Sequence, residues 1–167
     1  MSDAQVDAYL LTDAEKKEID HWIAKYPKGQ QRSAVMQALM IVQEAAPNRC
    51  LDAARMQAVA DYLDLPAIAV QEVATFYSMY EHRPVGRYKI GLCTNISCKL
   101  WGSDNIEHHL QKKLGIGLGE TTKDGKFTLK EVECLGACIG APMCQINRDY
   151  HEHLTPEKLD GILDELE

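Results

Sequence analysis

The sequence predicts an α+β protein, with a helical bundle over residues 1–84 followed by a mixed α/β domain over residues 85–167. Three observations carry this reading. Apolar residues recur at helical spacing from Thr12 to Val73. The pattern switches to alternation at Tyr88, Ile90 and Leu92, and an Asp124-Gly125 turn pair leads into a second strand-like run.

In chain order, Thr12 and Glu15 have capping-box spacing ahead of Ile19, Trp22 and Ile23, and the Tyr26-Pro27-Lys28-Gly29 turn signal ends this first helix. A second helix starts near Ser33, carries Val35, Leu39 and Val42, and stops where Ala46 meets Pro47. A third spans Asp52 to Leu63 with Met56, Val59, Ala60 and Leu63 on one face. Pro66 suits the first turn of a fourth that runs through Val70 and Val73. Beyond HRPVGR (82–87), the alternating residues form a strand ending at Cys93. Ser103 is placed to cap a helix containing Ile106, Leu110 and Leu114, and Gly115 stops it. The Asp124-Gly125 turn between ETTK and KFTLKEV predicts a hairpin or closely spaced strands. Residues Met143 to Ile146 read as a short strand. Thr155-Pro156 then opens a last helix through Leu159, Ile162, Leu163 and Leu166.

Composition excludes several function classes. At 167 residues the chain can bury a sizeable core, with 46% apolar and 26% charged residues. It has no apolar run near the roughly 20 residues a membrane span requires. A formal net charge of −7 and the lack of a basic cluster argue against binding nucleic acid through its phosphates. The amino-terminal stretch MSDAQVDAYLLTDAEKKE lacks the basic and apolar regions of an export signal, so a cytoplasmic location is expected. In that reducing compartment, six cysteines are more naturally ligands or redox centres than disulfides.

The chemistry concentrates in CTNISC, which carries Cys93 and Cys98, and CLGAC, which carries Cys134 and Cys138. Each string follows a predicted strand, so two thiolate pairs on neighbouring loops can converge on one inorganic centre. A [2Fe–2S] cluster suits two pairs, because each iron takes two thiolates. Its negative charge calls for backbone and side-chain donors: Gly136 and Gly140 permit close backbone approach, and Thr94, Asn95 and Ser97 are candidate donors. A structural zinc held by the same four cysteines remains the alternative, although zinc pairs are commonly spaced more tightly. No histidine lies within either loop, as a Rieske centre would need, and no Cys-x-x-Cys redox pair occurs.

Cys50 and Cys144 read as buried, idle thiols, Cys144 within a strand. His108 and His109 read as solvated on a surface helix, and His151 and His153 as solvated on a turn or strand. LGIGLGE (114–120) follows a helix instead of opening one after a strand, and is a turn rather than a nucleotide loop.

Nearly the whole chain resembles a known family, the thioredoxin-like [2Fe–2S] subunits of NADH:quinone oxidoreductase (respiratory complex I), which in bacteria carry the letter E. The resemblance rests on EVATFYSMY (72–80), PVGRYKIGLC (84–93), CTNISC, TTKDGKFTLKEVECLGACIGAPM (121–143) and HLTPEKL (153–159). It implies that the second domain is thioredoxin-like and that Cys93, Cys98, Cys134 and Cys138 hold one [2Fe–2S] cluster. It further implies docking on an FMN- and NADH-binding subunit in the peripheral arm of the complex, on the cytoplasmic side of the inner membrane. FMN and NADH would be bound by that partner, single electrons exchanged with its flavin, and no complete active site expected on this chain. Related subunits of NAD-linked formate dehydrogenases and hydrogenases are the alternative assembly. A zinc-stapled interaction module or a free-standing ferredoxin are the alternative classes.

Overall fold

Thr12 and Glu15 begin the first helix as their spacing predicts. The computed structural model describes residues 8–166. In it the Glu15 backbone N–H donates to Thr12 Oγ1 (3.3 Å) and the Glu15 carboxylate accepts from the Thr12 backbone N–H (2.7 Å), closing a capping box ahead of α1 (Asp13–Ile23). The reading of the extreme amino terminus as free of an export signal falls partly on residues 1–7, outside the described residues. Contacts divide the chain into two units, Met1–Pro84 and Val85–Glu167.

The first unit is helical. A 3₁₀ turn, Gln31–Ala34, leads into α2 (Val35–Ala45), which ends at Ala46 because a residue before proline is pushed into extended backbone. Asp52 caps α3 (Ala53–Tyr62), accepting from the Arg55 N–H at 2.8 Å. Pro66 occupies the cap of α4 (Ala67–Phe76), one position earlier than the sequence suggests. α2 packs against α1, α3 and α4, and its Ala38, Leu39 and Val42 are buried at the centre of a cluster with Ile19, Val59, Leu63 and Val70. The segment after α4 is tied back to α2 by polar groups. The buried Gln43 accepts from the Glu81 N–H (2.6 Å) and donates to the Met79 carbonyl (3.3 Å), and the Tyr80 hydroxyl donates to the Met36 carbonyl (2.8 Å).

The second unit is a four-stranded sheet ordered β2-β1-β3-β4, from β1 (Tyr88–Cys93), β2 (Phe127–Val132), β3 (Cys144–Ile146) and β4 (Asp149–His151). β1 and β2 are parallel, so a crossover must join them; α5 (Ile96–Leu100) and α6 (Ser103–Leu114) supply it. β3 pairs antiparallel with β1, and β4 antiparallel with β3. Alternation sends Ile90, Leu92, Phe127, Leu129, Cys144 and Ile146 into one core with Ile106 and Leu110 of α6 and Leu159 and Leu163 of α7 (Pro156–Glu165). Thr155 caps α7 by accepting from the Lys158 N–H (3.2 Å), with Pro156 in its first turn.

Several expectations need correcting. Asp124-Gly125 does make a tight turn, closed by the Gly125 N–H on the Thr122 carbonyl (2.8 Å). The expected hairpin is reduced, however, to one antiparallel bridge between Thr121 and Thr128, on the edge of β2 that faces away from β1. Ser103 is the first residue of α6 and not its cap; Gly102, at φ 92°, takes the cap position, and the buried Ser103 hydroxyl has no hydrogen-bond partner. His109 is paired instead of merely solvated: its Nε2 lies 2.7 Å from Asp160 Oδ1, and Lys113 meets Asp160 and Asp164 at 2.9 Å, joining α6 to α7. Among the described residues, no helix is long and apolar enough to cross a membrane.

Gln43→Ala removes both bonds that anchor the segment after α4, and should cost about 1–3 kcal/mol in urea unfolding. Burial pushes the Cys144 thiol up from 9.0 to about 12. A pKa raised by folding gives stability that is full below the unfolded value and lost as pH climbs toward the folded one. Unfolding free energy should therefore fall between about pH 9 and pH 12. In Cys144→Ala that alkaline loss should be measurably shallower.

Candidate metal centre

The parallel register of β1 and β2 sets Cys93 opposite Val132, at the carboxyl ends of both strands. Cys134 lies two residues beyond Val132, so the two cysteine strings begin at one end of the sheet, where parallel α/β folds characteristically present ligand-binding loops. Backbone bonds pin Cys93 from both sides: its N–H donates to the Met143 carbonyl (3.2 Å), and the Thr94 N–H donates to the Val132 carbonyl (3.0 Å). The Thr94 hydroxyl donates to Glu131 (2.8 Å).

The chain does not leave Cys93 as a loop, as CTNISC suggests, but enters the short helix α5, anchored by the Lys99 N–H on the Asn95 carbonyl (2.9 Å). Five residues are too few for hydrophobic periodicity to reveal, so this helix is missed from sequence. Its effect is to turn Cys98 back beside Cys93. Both are buried, at 1% and 2% exposure, in a small cluster with Ala141 and Met143, against which Leu135 and Ala137 pack. Burial, then the hydrogen bond and charge of the adjoining Cys93, push the Cys98 thiol up to about 11; a Met143 backbone hydrogen bond opposes this, and the Cys138 charge adds to it.

Cys134 and Cys138 are exposed, on the segment after β2 and at the start of a 3₁₀ turn, Cys138–Gly140. Gly136 sits between them at φ +76°, a left-handed conformation that side chains disfavour. A Cβ at Gly140 would fall 2.6 Å from the Cβ of Glu152, which cannot swing away, so that position must be small. Among the described residues, no three Cys, His, Asp or Glu side chains draw close enough to grip a single ion. The arrangement is one buried pair and one exposed pair at the same sheet end. This donor set, four thiols with small residues between them and backbone close by, fits a cluster bound by paired thiolates.

The other cysteines lie elsewhere. Met143, just ahead of β3, packs into the Cys93–Cys98 cluster, while Cys144, the first residue of β3, turns into the sheet core. Cys50 is buried in the first unit. Thr94 spends its hydroxyl on Glu131, so its expected bond to sulfur is replaced by one that braces the strand end. Of the turn or strand expected at His151 and His153, the strand is β4, which ends at His151, and His153 lies beyond it.

In metal-free protein, iodoacetamide should modify Cys134 and Cys138 rapidly under native conditions, while Cys93, Cys98 and Cys144 react only on unfolding. Peptide mass mapping checks the order.

Residues 19–167 match the family described as thioredoxin-like [2Fe–2S] ferredoxin. The chain is 48% identical over 143 residues to the E subunit of the NADH-quinone oxidoreductase of Rickettsia felis, covering 86% of this chain and 85% of that one. It is 44% identical over 149 residues to the second such E subunit of Rhizobium meliloti, covering 89% and 86%. Among solved structures, a chain of an NAD+-reducing [NiFe]-hydrogenase in the air-oxidised state superposes with a TM-score of 0.68 at 23% identity, over 79% of this chain and 22% of that longer one. At that identity the likeness shows the fold alone. The chain belongs to the thioredoxin-like [2Fe–2S] ferredoxin family, with the E subunits of NADH-quinone oxidoreductases as its relatives.

Proposed function

We propose that this chain is an electron-transfer subunit of an NADH:quinone oxidoreductase, holding one [2Fe–2S] cluster through Cys93, Cys98, Cys134 and Cys138. The observation that carries the reading is the parallel register that starts both cysteine strings at one end of the sheet. In such a cluster each iron takes two thiolates, and the bound group supplies one-electron chemistry. Cys93 and Cys98 would anchor it on the buried side, where Met143, Ala141 and Leu135 exclude water. Cys134 and Cys138 would close it from the solvent side.

Residues 1–84 and 85–167 serve as two domains, the second carrying the centre. The partner is the FMN- and NADH-binding subunit, which would exchange single electrons with this chain through its flavin. Four exposed apolar side chains next to the proposed ligands support such docking: Ile96, Leu100 and Trp101 flank Cys98, and Ile139 follows Cys138. No acid, base or nucleophile of this chain enters the reaction, and the flavin and nucleotide belong to the partner. The assembly would sit on the cytoplasmic side of the inner membrane, attached through its other subunits.

Anaerobic isolation should yield about two irons and two acid-labile sulfides per chain, with a paramagnetic signal only after dithionite reduction. Cys134→Ser should lose or strongly alter that signal, and Cys144→Ser should preserve it. About one zinc without sulfide in the native protein would instead identify a structural metal module. Co-purification with an FMN-containing subunit tests the partner.

A further inference from the structure

Building on the ligand assignment above, we infer that Tyr150 is a positioning residue for the metal centre, fixing the Leu135–Gly136 peptide between Cys134 and Cys138. Its hydroxyl donates to the Leu135 carbonyl at 2.8 Å. The loop it holds has little regular structure of its own: both cysteines are exposed, Gly136 is left-handed, and Ala137 lies at φ −103°, ψ 51°.

The hold is referenced to the sheet. Tyr150 on β4 is in register with Gln145 of β3, and β3 pairs with β1, the strand that ends in Cys93. The exposed and buried cysteine pairs are thereby set against one framework. Just beyond β4, the His153 N–H donates to the Gly140 carbonyl (2.6 Å) and the Leu154 N–H to the Pro142 carbonyl (2.9 Å), so the chain after Tyr150 also clasps the far end of the cysteine segment.

Peptide planarity gives the bond a chemical consequence. In a trans peptide the C=O and N–H point to opposite sides, so turning the Leu135 carbonyl toward Tyr150 sends the Gly136 N–H away from it. On this assignment the Gly136 N–H, held on the side of the peptide opposite Tyr150, would donate to a sulfur of the bound cluster. Hydrogen bonds to sulfur favour the more negatively charged, reduced state and so raise the potential.

The test is Tyr150→Phe, which keeps the ring and removes the donor, made in the intact chain and isolated anaerobically beside the wild type. Iron and sulfide content should match the wild type, as should the far-UV melting temperature. The midpoint potential should move to more negative values, and iron should pass to a chelator several-fold faster. An unchanged midpoint potential overturns the inference, whatever the rate of iron release. Equal losses of metal retention and melting temperature also overturn it, because they indicate a merely structural role. Absence of iron and sulfide from the wild type fails the ligand assignment itself, and is distinguishable because it appears before any variant is compared.

Discussion

The parallel pairing of β1 with β2 is the constraint on which the proposed site depends. Antiparallel neighbours would place the ends of these strands at opposite edges of the sheet, and CTNISC and CLGAC would open far apart. Parallel pairing puts Cys93 beside Val132. It also demands a crossover, and α5 and α6 meet that demand while doing different work. α6 covers the sheet core with Ile106 and Leu110, and α5 turns Cys98 back under the strand end. Sheet closure and thiol placement are thus consequences of one topological choice.

The two thiol pairs differ in environment, and the difference suits an electron-transfer role. Cys93 and Cys98 are shut among Ala141, Met143 and Leu135, where burial holds the Cys98 proton tightly. A metal bound there must displace that proton, and is shielded from water once it has done so. Cys134 and Cys138 face outward amid Ile139 and small residues, which leaves one side of the proposed centre near the surface. An exposed loop of this kind cannot hold its own geometry by packing. The hydrogen bonds reaching it from Tyr150, His153 and Leu154 show how the rest of the sheet supplies that order.

The helical unit rests on a different principle. Its core is built from apolar stripes around α2, and its ends are finished by polar groups satisfied locally, Thr12 with Glu15 and Asp52 with Arg55. Gln43 is the exception, a buried amide whose partners lie on the segment after α4. It makes that returning segment part of the first unit's own structure.

Sequence alone determined the α+β class, the helical stripes, both helix caps at Thr12 and Thr155, the β1 pattern and the family, because these depend on short-range spacing and on motifs whose chemistry is local. It also placed Cys144 in a strand, since an apolar MCQI segment has few other fates. Tertiary structure decided what spacing cannot encode. The Asp124-Gly125 turn gives β2 only a bridge to Thr121 on its outer edge, while its other edge takes the distant β1 in parallel, a long-range partner that no local turn signal names. Five residues suffice for α5 once it is packed under the strand end, although they are too few to propagate a helix alone. His109 finds Asp160, and Tyr150 finds Leu135, across 51 and 15 residues of sequence, distances over which no local pattern carries information.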